Sequence, residues 1–124
     1  MLTLYGIPNC DTVKKARAWA AAAGLEVAFH DYRKQGVPEA LADWVEARGW
    51  ETLLNRAGTT FRALPEADKT GLDAAKAIPL MRAQPAMIKL PVLEGQAPSG
   101  APVLLVGFKP ELWAAALTGL SERH

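Results

Sequence analysis

Cys10 is the only cysteine in the chain, and it sits in the turn-like run Gly6-Ile7-Pro8-Asn9-Cys10-Asp11. The apolar residues before it suit a strand and those after it a helix, which places the sulfur at a helix N-terminus. Unpaired backbone N–H groups and the positive end of the helix dipole gather there, and both favour a thiolate over a thiol. Lys14, one turn further on, adds to this preference, and Asp11 opposes it. The thiolate is the nucleophilic form of cysteine, so this position points to thiol chemistry. The competing reading is an inert cysteine that fills a core. A filler belongs on an apolar stripe, whereas Cys10 stands among polar neighbours.

Spacing narrows the chemistry further. A dithiol redox motif needs a second sulfur three residues on, and that position holds Val13. Any disulfide formed by Cys10 must therefore be resolved by a thiol from outside. A phosphate-binding loop of the phosphatase type wants an arginine six residues after the nucleophile. That position holds Ala16, and Arg17 comes one step late, about 100° further round the helix. Metal chemistry is not expected, because Cys10, His30 and His124 are the only soft ligands and are scattered without metal-ligand spacing.

The chain of 124 residues is half apolar, 22% charged and carries a net charge of +1. One domain with a real core is expected. The charge balance does not advertise direct binding to nucleic acid or attachment to an anionic membrane. The single cysteine excludes an internal disulfide scaffold. No basic leader precedes the first apolar run, and the alanine-rich stretch at 18–23 is cut short by Gly24, so a cytoplasmic location is expected.

Several elements must position the thiol. Met1–Tyr5 reads as a strand, and the helix from Asp11 buries Val13, Ala16, Ala20 and Ala23 before Gly24 ends it. Glu26–Tyr32 reads as a second strand, with Val27 and Phe29 on one face. Pro38 opens a helix with Leu41, Trp44 and Val45 inward, closed by Gly49. A helical turn over Trp50–Asn55 follows, then a polar segment to Arg62, and a helix-favouring stretch from about Gly71 to Gln84 that Pro79 should kink or divide. Met87–Leu93 and Val103–Phe108 suit an antiparallel hairpin around a Gly/Pro/Ser loop. Leu112, Trp113, Ala116, Leu117 and Leu120 mark a closing amphipathic helix. A β-α-β unit followed by a β-β-α unit gives an α/β, thioredoxin-like fold: a mixed four-stranded sheet flanked by helices, with a helical insertion at about residues 38–84.

The opening Leu4-Tyr5-Gly6-Ile7-Pro8-Asn9-Cys10-Asp11-Thr12-Val13-Lys14-Lys15-Ala16-Arg17 resembles that of the arsenate reductase (ArsC)-like family, in its YffB branch, neighbour to the Spx regulators. Further matches are Phe29-His30-Asp31-Tyr32-Arg33, Gly49-Trp50-Glu51, Leu53-Leu54-Asn55-Arg56, Gly58-Thr59-Thr60-Phe61-Arg62 and Pro85-Ala86-Met87-Ile88-Lys89-Leu90-Pro91. The resemblance implies a thiol reductase with Cys10 as nucleophile, glutathione as co-substrate and no metal. Glutathione or a glutaredoxin would resolve the linked intermediate, and a protein thiol is a possible substrate. It further implies that Arg56 and Arg62 bind a carboxylate or small oxyanion, since a guanidinium can donate two hydrogen bonds to one anion. Asn9 would help to position the leaving group, Lys14 would favour the thiolate, and Pro91 would be the cis-proline of the thioredoxin layout, shaping a peptide-binding edge.

Many relatives read Lys-Arg-Pro where this chain has Lys89-Leu90-Pro91. An isobutyl group cannot hydrogen-bond to arsenate, so Leu90 argues against arsenate as substrate. Lys89, if residues 89 and 90 alternate along a strand, points to the opposite face. The competing class is a non-catalytic, Spx-like redox regulator that binds RNA polymerase, and the missing Cys-x-x-Cys switch argues against it. His30 is expected to make a structural hydrogen bond, and Thr59 and Thr60 to cap a loop. Trp19, Trp44, Trp50 and Trp113 are expected to pack rather than to bind.

Overall fold

The computed structural model of the protein describes residues 2–118. Met1, Leu120 and His124, invoked above, lie outside the described residues. Contacts divide the chain into two compact units, one running to Tyr32 and resuming at Leu90, the other spanning Arg33–Lys89.

The first unit is built on β1 (Leu2–Gly6), whose alternation buries Leu2 and Leu4 and leaves Thr3 and Tyr5 half-buried on the opposite face. It ends at Gly6 for a steric reason. A Cβ at that position would lie 2.8 Å from Val13 Cγ2, so only a glycine lets the next helix lie flush on the strand end. That helix, α1 (Asp11–Ala22), buries Val13, Ala16 and Ala20. Ala23, expected on the same stripe, falls beyond the last helical residue and is exposed. Gly24 takes a left-handed φ of 76° and turns the chain out of the helix.

β2 (Val27–Asp31) pairs parallel to β1 with Leu4 opposite Phe29. β3 (Val92–Gln96) pairs antiparallel to β1, and β4 (Pro102–Val106) antiparallel to β3. The order is β2-β1-β3-β4, a mixed sheet of thioredoxin-like type. The hairpin is where the sequence suggests, but its first strand lies further along the chain than Met87–Leu93. Pro85–Met87 is a 3-10 turn, and Ile88 makes only an isolated bridge to Leu54. Pro91 has no N–H to give a ladder. Glu94 and Gly95, which lie beyond the expected strand, instead pair with Thr3 and Leu2. Backbone pairing in the middle of a sheet overrides their low strand preference.

One face of this sheet carries the core, in which Leu2, Leu4, Val13, Ala16, Leu93, Val103 and Trp113 pack together. The helix α8 (Pro110–Leu117) buries Trp113 and Leu117, and the Trp113 indole N–H donates to Gly107 O at 3.0 Å. Leu112 is not part of the buried stripe, being 57% exposed, and Ala116 is exposed as well.

The unit Arg33–Lys89 is helical and extends past both expected ends of the insertion. A single turn, α2 (Tyr32–Gln35), spans its start, and α3 (Ala40–Arg48) buries Leu41, Trp44 and Val45. Pro38 precedes α3 by two residues rather than opening it, and Glu39 is its N-cap. Short helices follow: α4 (Trp50–Leu53), α5 (Thr59–Arg62) and α6 (Glu66–Lys69). The last is α7 (Ala74–Ala83), which contains Pro79 without being divided by it. The Asp73 side chain caps α7 by accepting the Lys76 backbone N–H at 2.9 Å.

Candidate active site

Cys10 is the N-cap of α1, in extended conformation with φ −94° and ψ 127°. Its N–H donates to Ile7 O at 3.2 Å, and its carbonyl accepts the Lys14 N–H at 3.0 Å. Among the described residues no side chain caps this helix, so the thiol stands beside a first turn whose amides are not taken by a capping oxygen. The sulfur-bearing residue is partly buried against the core cluster. Asn9 and Lys14 on either side of it are exposed.

Strand register shows what else collects at this end of the sheet. Tyr5 lies opposite Val92, and Val92 opposite Val106. The segment leaving β1, the segment entering β3 and the segment leaving β4 therefore emerge together. They carry Cys10, Pro91 and Gly107. The Leu90–Pro91 peptide bond is cis, and Pro91 O accepts the Gly107 N–H at 2.8 Å, which ties the two hairpin strands together just beyond the ladder. Leu90 is half-buried and packs against the core cluster. Because β3 begins only at Val92, the alternation invoked for Lys89 and Leu90 has no strand to rest on. Lys89 instead donates its backbone N–H to Leu53 O at 2.7 Å.

Arg56 and Arg62 belong to the helical unit. Arg56 is exposed, and its guanidinium carbon lies 5.4 Å from the centre of the Trp50 ring. Arg62 is tied down locally, Nε and Nη2 both donating to Ala57 O, at 3.1 and 2.7 Å. This doubled contact folds the loop 57–61 back on itself. Gly58 allows that path, since a Cβ there would lie 2.9 Å from Asn55 Nδ2.

On the sheet face opposite the core, Tyr5, His30 and Tyr32 form an aromatic group. Tyr5 and His30 ring centres are 4.9 Å apart, and Tyr5 and Tyr32 centres 6.4 Å. Burial, then the Glu94 charge, raises the Tyr5 phenol above its ordinary range. Tyr32 is raised as well, by burial and then by Tyr5, and among the described residues its hydroxyl finds no hydrogen-bond partner. Trp44 and Trp113 are core residues. Trp19 is half-buried, edge-on to Trp113 at 6.0 Å. Among the described residues no three His, Cys, Asp or Glu side chains converge as a metal site requires.

The ArsC family model matches residues 5–116. This chain belongs to the ArsC family. A solved YffB protein is 54% identical, with a TM-score of 0.87 over 95% of this chain and all of that one. An arsenate reductase (ArsC) related protein from Brucella melitensis is 50% identical, with a TM-score of 0.69 over 92% of each chain. An uncharacterized protein of Haemophilus influenzae is 39% identical over 119 residues, covering 94% of this chain and 98% of that one. The fold is accordingly that of the arsenate-reductase-like thiol oxidoreductases. No helix among the described residues is long and apolar enough to cross a membrane.

Two local features of this ArsC-family chain escape a reading of the sequence. The Gly107 N–H to Pro91 O bond joins residues far apart in the chain and depends on the hairpin register. Arg62 looks like any anion-binding arginine until the Ala57 carbonyl is seen to occupy half of its fork. A Gly following an arginine by two residues, with another arginine four further on, was the only hint of a loop folded over a guanidinium.

Proposed function

We propose that this protein is a thiol oxidoreductase that uses glutathione, with Cys10 as its single nucleophile. The Cys10 thiolate attacks one sulfur of a glutathione mixed disulfide. A new S–S bond forms as the old one breaks, and the leaving sulfur departs as a thiolate that takes a proton from water. A second glutathione, or a glutaredoxin thiol, then attacks the bond to Cys10, carries away the oxidising equivalent as a disulfide and returns Cys10 as thiolate. Asn9 lies next to the reacting sulfur in the chain and has a side chain suited to hold the leaving group. Lys14 favours the anionic sulfur, and Pro91 shapes the edge along which a peptide lies. Arg56 and Arg62 are the carboxylate or oxyanion binders, with the Arg56 fork making no hydrogen bond among the described residues and Arg62 retaining only the N–H groups not spent on Ala57.

The observation that carries this reading is a partly exposed cysteine standing as the uncapped N-cap of a twelve-residue helix. Leu90 favours a disulfide over arsenate as the oxidant, because the side chain preceding Pro91 is apolar and packs on the core. The decisive experiment is thiol transfer from a glutathione mixed disulfide, followed with intact-mass analysis. Cys10→Ser is expected to abolish both turnover and the glutathione adduct. Retention of the parent rate by that variant would end the proposal.

A further inference from the structure

β2 is the terminal strand of the sheet and pairs on one side only. An edge of this kind is a template for another chain unless charge, proline or a bulge blunts it. Val27, Ala28 and Phe29 offer none of these, and their register with β1 is unbroken. Beside this edge, between β2 and α1, lies a cavity of about 210 Å³. Leu4, Ala20, Ala21, Leu25 and Phe29 are among its walls, and Arg17 is its one charged residue. Whole small molecules usually occupy roughly 300–1,000 Å³, so this space suits a single side chain. The Arg17 guanidinium carbon stands 4.3 Å from the centre of the Phe29 ring, and among the described residues it pairs with no carboxylate.

We propose that the groove between β2 and α1 binds an extended peptide as an added strand, placing one apolar side chain in the cavity and a carboxylate two residues away on Arg17. A strand added to β2 lies about 4.8 Å from it, and alternate side chains point to the α1 face, as do Val27 and Phe29. On α1, Arg17 precedes Ala20 and Ala21 by three and four residues, a separation of about 5–6 Å. Residues i and i+2 of a strand are roughly 6.6 Å apart. An apolar-x-acid pattern therefore spans from the cavity to the guanidinium. Within its strands a second copy of this chain carries that pattern at Phe29-His30-Asp31 and Val92-Leu93-Glu94, but Asp31 is only 7% exposed and β3 is already paired on both sides. The cation of the groove, Arg17, calls for a different polypeptide, acidic and extended.

The test uses the full chain and a blocked octapeptide of Thr and Val carrying one Leu-Thr-Glu, read by fluorescence anisotropy and by amide hydrogen exchange. Binding should slow exchange at residues 27–29. Changing the peptide Glu to Gln should weaken binding roughly fivefold, as expected for loss of a charge-assisted hydrogen bond. Arg17→Gln should cause the same loss and remove the difference between the two peptides. Ala21→Phe, at an exposed helical position, should fill the cavity and weaken both. The proposal fails if millimolar peptide leaves exchange at 27–29 unchanged, or if the Glu and Gln peptides bind alike. It also fails if protection at 27–29 grows with protein concentration alone, which would reveal pairing between copies.

Discussion

The sheet unit and the helical unit solve the same backbone problem with different materials. In the first, strands meet partners far away in sequence, Tyr5 with Val92 and Val92 with Val106, and the ladder uses the polar groups of each. In the second, helices of four residues end almost as soon as they begin, and the carbonyls of a last turn have no intrahelical partner. Cationic side chains take up part of that role and also hold carbonyls in the segments between helices. Lys69 Nζ donates to Arg62 O at 3.0 Å, Arg82 Nη1 to Pro38 O at 3.2 Å, and Arg62 to Ala57 O. Lys76 does it twice, reaching Ala67 O at 2.6 Å and Thr70 O as well. In the sheet unit volume is therefore the sensitive quantity, and in the helical unit charge and reach.

The largest effect should come from volume. Gly6→Ala drives a methyl into Val13, and overpacking of this kind costs about 1–3 kcal/mol, measurable as a lower urea midpoint. It should also raise the rate at which Cys10 reacts with an alkylating reagent, because the first turn of α1 is pushed off the strand end. A parent-like midpoint would mean that the Gly6–Val13 contact is not as tight as 2.8 Å implies.

Charge should come next. Lys76→Met keeps the stem of the side chain but removes the ammonium from two carbonyls. Hydrogen bonds made by charged groups contribute roughly 1.5–3 kcal/mol, and partial exposure reduces that to about 1 kcal/mol. Hydrogen exchange should accelerate across residues 66–77. If it does not, cations are ornament in the helical unit rather than its mortar.

The smallest effect at neutral pH is expected at Tyr32. Its hydroxyl is buried without a partner among the described residues, so Tyr32→Phe should shift stability by no more than about 0.5 kcal/mol. The difference appears in alkali. The folded state holds the Tyr32 proton more tightly than the unfolded state does, so above about pH 10 the unfolded chain loses it first. Tyr32 thus contributes stability that is complete below pH 10 and declines as pH rises further. Tyr5, raised in the same direction, acts alike. Urea midpoints from pH 8 to pH 11 should fall less steeply for Tyr32→Phe than for the parent.

The same contrast governs what could be read from the residues alone. β1 and α1 announce themselves, because Leu2/Leu4 and Val13/Ala16/Ala20 are long enough runs for a period to show. The N-cap position of Cys10 follows from their junction. A helix of four residues has no period, so α5 reads only as part of a polar segment. The β3 strand was displaced because its polar half, Glu94 to Gln96, is held by a neighbouring strand rather than by its own side chains. Arg56 and Arg62 were legible as residue types, but the division between a free fork and an occupied one depends on where the Ala57 carbonyl turns.

Val13 has a consequence beyond packing. It occupies the position where a self-sufficient redox enzyme would keep its second sulfur, and here its methyl groups are the joint between strand and helix. Trading them for a thiol would loosen that joint while hiding the new group in a fully enclosed place. In the proposed cycle every half-reaction is therefore an encounter between two molecules, and throughput rises and falls with the small-thiol concentration of the surroundings.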